Sequence, residues 1–258
     1  MQSERTPRVR AVPAVTRAIA MLRLLSHKRA PMSLKSMAEE LELVPSTALH
    51  IARALVAEKL LQVEPQTKRY RLGVGMLPLA RAVLDNSDFP SLVRPKLDTL
   101  SGRYGVTAIG VELPDLDNMI VVALSRSQAP VRLHVDVGSR FPALISATGR
   151  CLAAFSEHPA KEIERRFRQL RWHNAPDYDT WRKEIAVVRR QGFSIDRGNY
   201  IAGVTIVAVP VLNGCGTISH TIAAVGLGSQ LDRASSLALA QDMRAAAQEV
   251  AAQLTQQA

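Results

Sequence analysis

One stretch of the chain, from Ser33 to Leu55, has the residue spacing of two short amphipathic helices that meet at a turn. In the first half, apolar residues recur three and four positions apart, which places them on one helix face: Leu34, Met37, Ala38 and Leu41. The second half repeats this spacing with Ala48, Ile51, Ala52 and Leu55. Pro45, between the halves, disfavours helix at Val44 and suits the first turn of a new helix. The stretch therefore predicts two packed helices, the second with a free polar face.

Two helices in this arrangement are typical of a helix-turn-helix, whose second helix lies in the major groove of DNA. An ordinary αα-hairpin has the same apolar spacing and is the alternative. The small residue Ala38, the short turn and the Ser46-Thr47 start of the second helix favour DNA binding. The turn usually needs a left-handed residue, most easily glycine, and this chain has Glu42. We expect Glu42 to be tolerated there at a cost of roughly 1 kcal/mol.

The basic residues are concentrated in the same part of the chain. The net charge is +10; residues 1–80 hold 13 Lys and Arg against 6 Asp and Glu, so +7 of the excess lies there. A surface that contacts phosphates requires such an excess, and a merely solvated basic face is the alternative. Binding to acidic lipid is disfavoured, because the basic residues do not line an amphipathic helix with exposed Trp or Phe.

A short basic β-hairpin is predicted directly after the second helix, with strands over residues 60–63 and 69–72 and a turn over residues 64–68. A hairpin in this position is a wing, which contacts the DNA backbone or the minor groove. The DNA contacts predicted for both elements are Lys35, Ser36, Ser46, Thr47, His50, Arg53, Lys68, Arg69 and Arg71. A further helix is predicted over residues 13–26. Before it, a basic arm contains Arg5, Arg8 and Arg10, which would contact DNA or belong to a floppy terminus.

The remaining residues alternate between helical and strand patterns. An apolar stripe on a helix that starts near residue 76 would be a dimer contact or part of a domain core; its members are Met76, Ala80, Val83 and Leu84. Further helices are predicted over residues 91–103, 148–155, 160–170, 178–190 and 231–254. Strands are predicted over residues 106–113, 119–125, 131–135, 193–196, 205–212 and 217–227. This order predicts a second domain of the α+β class that acts as a sensor.

Composition and motifs disfavour several other classes of protein. No apolar run approaches the ~20 residues of a membrane span, and the first ten residues lack the apolar core of a signal peptide. Cys151 and Cys215 show no metal-binding or CxxC spacing, which predicts reduced thiols in a cytoplasmic protein, without metal or cofactor. An enzyme with Cys151 as nucleophile and His134 or His173 as base is a weak alternative, because a cysteine in a helix is usually a small buried hydrophobe. A purely architectural DNA binder would not need so large a second domain.

Three segments resemble the IclR family of bacterial transcriptional regulators: YRLG at Tyr70–Gly73, VGSRFPALISATGRCLAAF at Val137–Phe155, and QGFSIDRGNYIAGVTIVAVPV at Gln191–Val211. The resemblance covers nearly the whole chain. It implies an α+β protein with an N-terminal winged helix-turn-helix and a C-terminal GAF-like effector domain. It also implies dimers or tetramers on a pseudo-palindromic operator, and repression or activation controlled by a small organic acid or aromatic metabolite. The expected divisions are a DNA-binding domain over residues 1–75, a linker helix over residues 76–90 and an effector-binding and oligomerisation domain over residues 91–258.

The resemblance also implies an effector pocket formed by Leu133, Phe141, Ala147, Thr148, Asp196, Ile206, Gly226 and Gly228. Family members that bind small keto acids have a cysteine at Ile206 and serines near the two glycines. Loss of these donors disfavours a small charged ligand, so we expect an aromatic or moderately apolar effector whose polar end Thr148 or Asp196 fixes. A collapsed pocket is the alternative.

Three single residues carry further expectations. Asp196 is either a pocket acid or, alternatively, a helix N-cap or a residue of a surface turn. Arg150 follows Gly149 at a predicted helix N-terminus, where an anion is favoured, and is expected to be solvated. In the recognition helix, His50 stands where the family usually has arginine, so the operator sequence is expected to differ.

Overall fold

The computed structural model describes residues 12–28, 30–85, 88–126 and 135–257. The chain divides into two compact units, Met1–Asn86 and Ser87–Ala258. The predicted arm with Arg5, Arg8 and Arg10, and most of the predicted strand over residues 131–135, lie outside the described residues. The predicted linker helix over residues 76–90 stays a prediction; one helix covers Met76–Asp85 and the next begins at Asp88.

In the residues that the structure describes, the first unit consists of four helices and one β-hairpin. Its elements are α1 (Pro13–Lys28), α2 (Leu34–Glu40), α3 (Pro45–Ala57), β1 (Leu61–Val63), β2 (Tyr70–Leu72) and α4 (Met76–Asp85). Apolar residues of the first three helices form its core with Leu61 of the hairpin, and Met21, Met37, Ala48 and Ala52 are completely buried. The helix-turn-helix and its preceding helix are therefore confirmed.

The turn between α2 and α3 takes the conformation that the sequence requires of it. The Ser33 hydroxyl accepts a hydrogen bond from the Ser36 N–H and caps α2. At the other end Glu42 has φ = 53°, so a non-glycine residue does occupy the left-handed position. The Leu43 N–H donates to the Ala38 carbonyl at 2.8 Å and closes the turn. Pro45 then starts α3 at a position where its missing N–H costs nothing.

The hairpin is fixed to the rest of the first unit at its base. Strands β1 and β2 pair antiparallel, and Met32 bridges to Tyr70 on the outer side of β2. A Cβ added to Gly73 would lie 2.1 Å from the Lys59 carbonyl oxygen, so only glycine permits this close approach. The last residue of YRLG therefore sets where the hairpin leaves the helical core.

The described part of the second unit is a six-stranded antiparallel sheet with helices on both faces. Its elements are α5 (Asp88–Tyr104), β3 (Thr107–Glu112), β4 (Asn118–Leu124), β5 (Arg140–Pro142), α6 (Ser146–Phe155), α7 (Ala160–Phe167), α8 (Tyr178–Gln191), β6 (Ser194–Arg197), β7 (Val204–Leu212), β8 (Ile218–Leu227) and α9 (Arg233–Gln257). Within the described residues the strand order is β5-β4-β3-β8-β7-β6. The α+β class is confirmed. Strand β5 was not predicted, because three residues that include Pro142 carry no alternation.

Alternating residues of the central strands supply two separate cores. On β7, Ile206 and Ala208 face the core under α6 and α8, whereas Val207 and Val209 face the core under α5 and α9. Because both faces are covered, β7 is buried almost throughout and shows no alternation of apolar with polar residues. The face under α6 is the one that contains the cavity described next.

Candidate DNA-binding surface and effector cavity

The exposed face of α3 carries the polar residues that the sequence assigned to DNA. Ser46, His50 and Arg53 are exposed and Thr47 is half-buried, while Ala48, Ala52 and Leu55 of the opposite face are buried. The helix therefore presents a polar surface at its N-terminal end, as a recognition helix does. Their individual roles in DNA binding stay predictions.

The hairpin and the start of α2 carry the other predicted contacts. Lys68, Arg69 and Arg71 are exposed, and Lys68 has φ = 55° in the tight turn that joins the strands. The Arg71 guanidinium donates to Gln62 Oε1 at 3.2 Å, which holds it along the strand pair. Lys35 is exposed and 3.9 Å from Glu39, and the Ser36 hydroxyl is 2.9 Å from that of Ser33. The four cations are therefore exposed and Ser36 is half-buried, and their contacts with DNA stay predictions.

The second unit contains a cavity of about 130 Å³ between the sheet and the N-terminal end of α6. Its wall consists of Ile109, Met119, Val135, Phe141, Ile145, Ser146, Thr148, Tyr200, Ile201, Ile206, Ala223 and Val225. The wall is mostly apolar, and its hydroxyl groups belong to Ser146, Thr148 and Tyr200. No described residue of the wall is charged. Such a cavity suits an apolar molecule with one or two polar ends.

A close backbone contact places α6 against this cavity. A Cβ added to Gly149 would lie 2.0 Å from the carbonyl carbon and oxygen of Leu144, so the helix can pack on the preceding turn only with glycine there. Ser146 begins the helix with φ = 60°. The segment SATGR, one of those that resemble the IclR family, therefore turns the chain sharply and presents Ser146 and Thr148 to the cavity.

The predicted effector residues divide into three groups. Phe141, Thr148 and Ile206 belong to the cavity wall. Leu133 lies outside the described residues. The described wall does not include Ala147, Asp196, Gly226 and Gly228, whose part in effector binding stays a prediction.

Gly226 and Gly228 lie next to other residues of the unit, and the Asp196 carboxylate lies close to Arg150. A Cβ on Gly226 would meet Leu231 at 2.9 Å, and one on Gly228 would meet the Gly203 carbonyl at 3.3 Å. Sequence reasoning missed Ser146 and Tyr200, although both lie in the segments of the resemblance.

Arg150 is buried, and the expectation of a solvated side chain is wrong. Its Nε donates to Glu184 Oε2 at 2.6 Å, and its Nη1 lies 3.6 Å from Asp196 Oδ2. Asp196 is itself 1 % exposed, and its Oδ1 accepts the backbone N–H groups of Asn199 and Tyr200. Burial raises the pKa of Asp196, and the nearby Arg150 charge opposes this. Arg150 on α6 therefore contacts both Glu184 on α8 and Asp196. Asp196 in turn holds the loop that brings Tyr200 to the cavity.

The burial of Cys151 and the arrangement of possible metal ligands bear on whether the chain could be an enzyme. Cys151 is completely buried, its Sγ donates to the Ala208 carbonyl at 3.4 Å, and burial raises the pKa of its thiol well above the usual range. Among the described residues, no group of three or more His, Cys, Asp and Glu side chains could hold a metal ion. The described part of the chain also contains no helix long and apolar enough to cross a membrane.

Family comparisons agree with this architecture. A model described as the IclR helix-turn-helix domain matches residues 14–65, and one described as the C-terminal part of the bacterial transcriptional regulator IclR matches residues 81–252. The chain belongs to the IclR family of bacterial transcriptional regulators. As an IclR-family protein it combines a helix-turn-helix DNA-binding domain with an effector-binding C-terminal domain, and the interpretation of the sequence is confirmed at this level.

Individual IclR-family proteins are similar over most of their length. The HTH-type transcriptional regulator RhmR of Escherichia coli (strain K12), itself described as uncharacterized, is 28% identical over 226 residues, 86% of this chain and 85% of RhmR. The structure of an IclR regulator from Alicyclobacillus acidocaldarius superposes with a TM-score of 0.84 at 27% identity, over 94% of this chain and 99% of that one. An IclR homologue from Microbacterium hydrocarbonoxydans, solved in complex with 4-hydroxybenzoate, has a TM-score of 0.78 at 19% identity, over 93% and 98% of the two chains.

Proposed function

We propose that this IclR-family protein regulates a catabolic operon from the cytoplasm, and that an aromatic or moderately apolar small molecule controls its binding to operator DNA. The observation that carries the proposal is the apolar cavity with hydroxyl groups on its wall. Its volume of about 130 Å³ is close to that of an apolar protein cavity of about 150 Å³ that binds benzene. The Microbacterium homologue, which binds 4-hydroxybenzoate, supports a single aromatic ring as the ligand.

The lining of the cavity disfavours small keto acids. A carboxylate that leaves water needs charged or multiple hydrogen-bonding partners, and the polar side chains of the described wall are the uncharged Ser146, Thr148 and Tyr200. An aromatic ring gains free energy from burial against Ile206, Phe141 and their apolar neighbours, which offsets the cost for one polar end. We infer that Thr148 bonds that end.

Calorimetry on the full-length protein tests the effector. We expect 4-hydroxybenzoate to bind more tightly than glyoxylate or pyruvate. Thr148→Val keeps the shape and removes the hydroxyl, and should weaken 4-hydroxybenzoate binding by roughly 1 kcal/mol. Thr221→Val is the matched control, because Thr221 is completely buried and lies outside the cavity wall. Tighter binding of glyoxylate than of every aromatic acid tested would refute the aromatic assignment.

For DNA, we propose that α3 reads bases and the hairpin contacts phosphates. The exposed residues Ser46, His50 and Arg53 and the half-buried Thr47 would lie in the major groove. Contacts to the DNA backbone would come from Lys68, Arg69, Arg71, Lys35 and Ser36. Phosphate contacts position the protein, and base contacts carry its specificity. A homodimer or tetramer would then read a pseudo-palindromic operator.

Two substitutions separate these roles. Arg69→Ala should weaken binding about equally for all duplexes and reduce the dependence of affinity on salt, because it removes one phosphate contact. His50→Ala should change base preference at one position by roughly 1–3 kcal/mol. Fluorescence anisotropy over a series of duplexes and salt concentrations measures both. Equal weakening of all duplexes by His50→Ala would mean that His50 only contacts the backbone.

An effector can regulate DNA binding only if it binds the two DNA-binding states of the protein with different affinity. The sign of regulation follows from which state the ligand prefers. The protein is proposed not to be an enzyme, since the fully buried Cys151 cannot present a thiolate to a substrate. A purely architectural role is disfavoured by the cavity itself.

A further inference from the structure

A second cleft of the C-terminal unit lies away from the effector cavity and has three arginines on its rim. It measures about 280 Å³ and lies between the C-terminal end of α8, the end of β7 and α9. Arg189 and Arg190 come from α8 and Arg244 from α9, and all three are exposed. The cleft shares no residue with the wall of the cavity. It is therefore a separate concave site.

Within the described residues no acid neutralises these three guanidinium groups, in contrast to several other arginines of the unit. Six arginines form ion pairs with Asp or Glu: Arg103, Arg150, Arg165, Arg166, Arg168 and Arg182. Arg189, Arg190 and Arg244 form none with any residue that the structure describes, and no acid is part of the cleft. The C-terminus of α8 offers them only about half a negative charge. Three like charges around one cleft therefore favour a bound anion.

One of the arginines is held by a hydrogen bond, and a second lies close to the backbone at the end of α8. The Arg189 Nε donates to the Ala154 carbonyl at the end of α6 at 2.8 Å. The Arg244 guanidinium packs over Gly192, where a Cβ would come within 3.1 Å of its Nε. These contacts leave the terminal N–H groups of both side chains available. A guanidinium fixed in this way loses less entropy when it bonds an oxyanion.

The remaining surface of the cleft is largely apolar and includes Phe155, Pro210, Leu212 and Ala247. A ligand that uses the whole site needs an anionic group for the arginines and an organic body for this floor. We propose that the cleft is a second ligand site that binds an organic phosphate. Arginine forks match the oxygens of a phosphate dianion, and a bounded cleft of this size suits a small molecule better than an extended acidic peptide.

Calorimetry with phenyl phosphate, inorganic phosphate and a hexaglutamate peptide tests the site on the full-length protein. We expect saturable binding of phenyl phosphate, weakened about tenfold by Arg190→Gln and by Arg244→Gln, because each removes a charge-assisted hydrogen bond. Arg182→Gln is the matched control on α8, since Arg182 pairs with Asp179 outside the cleft. Arg69→Gln in the hairpin separates this site from the DNA-binding surface. Arg182→Gln should leave binding unchanged, whereas loss of saturable binding in Arg69→Gln would assign the ligand to the DNA-binding surface and overturn the site.

Absence of saturable phenyl phosphate binding, or binding that Arg190→Gln and Arg244→Gln leave intact, overturns the site. Inorganic phosphate that binds as tightly as phenyl phosphate shows that the apolar floor contributes nothing and overturns the organic ligand. Tighter binding of hexaglutamate assigns the cleft to an acidic partner instead. Binding of 4-hydroxybenzoate should be the same in all four variants, because the cavity is separate.

Discussion

The two cysteines of this regulator lie in opposite environments. Cys151 is completely buried and bonded to a carbonyl, whereas Cys215 is exposed in the turn between β7 and β8. Burial raises the pKa of the Cys151 thiol, so almost no thiolate forms there at neutral pH. We expect a thiol reagent such as DTNB to modify one cysteine per chain in the native protein and two in guanidinium chloride. In Cys215→Ser the native reaction should disappear; a persisting rapid reaction would make Cys151 a reactive thiol after all.

His220 should make stability depend on pH. Its ring stacks on Phe89 at a centroid distance of 4.0 Å, and burial lowers its pKa from 6.5 to about 4. Between these values the unfolded chain binds a proton that the folded chain does not. The free energy of unfolding should therefore fall as the pH drops from about 6.5 towards 4. Above about pH 6.5 His220 is neutral in both states, so this loss of stability is absent.

His220→Phe isolates this effect, because it keeps an aromatic ring beside Phe89 and removes the titrating group. Denaturant unfolding of both proteins at pH 7, 6 and 5 gives the comparison. As the pH falls from 7 to 5, the wild type should lose unfolding free energy relative to His220→Phe. Parallel pH curves for the two proteins would show that His220 does not titrate on unfolding.

At the scale of single elements, Gly149 is the residue on which the position of α6 depends. In Gly149→Ala the new Cβ would lie 2.0 Å from the Leu144 carbonyl, which neither backbone can relieve locally. We expect a loss of several kcal/mol, or failure to fold. Gly102→Ala is the matched control, because Gly102 also lies in a helix and its Cβ would meet nothing within 4 Å. It should stabilise by about 0.5–1 kcal/mol. Thermal unfolding of both variants checks the pair, and equal melting temperatures would contradict it.

Local patterns predicted most elements, since the spacing of apolar residues within a helix or strand is a property of neighbouring residues. The helix-turn-helix, the hairpin and the long strands were found in this way. The burial of Arg150 could not be predicted from local patterns, because it depends on Glu184 and Asp196, which the chain brings together only after folding. The same holds for the cavity: Ile109, Ala223 and Tyr200 come from separate parts of the chain, and their common wall has no signature in any one segment.

At the scale of the whole molecule, self-association is the main expectation. On α4 Val83 is 64% exposed and Ala80 is exposed, whereas Met76 packs on the core of the first unit. A second copy of the chain would remove this apolar surface from water. We expect light scattering at micromolar concentration to give at least twice the 28.2 kDa of one chain.

Charges on the same surface should prevent this association. Ala80→Asp combined with Val83→Asp should shift the protein towards 28.2 kDa, because carboxylates would have to leave water at the contact. Val187→Asp provides the control, since Val187 is an exposed apolar residue on a helix of the other unit. A wild-type monomer with and without DNA, or dissociation by the control alone, would argue against α4 as the contact.

Helix α6 has almost no side open to solvent, since nine of its ten residues are buried. Close-packed interiors have low compressibility, so a wall formed by such a helix cannot yield to a bulky ligand by small local shifts. A ligand slightly too large for the cavity can bind only if the whole of α6 moves. Among benzoates with substituents of increasing length, affinity should therefore drop abruptly at one size instead of declining gradually. The volume of a metabolite would then decide whether this regulator responds to it.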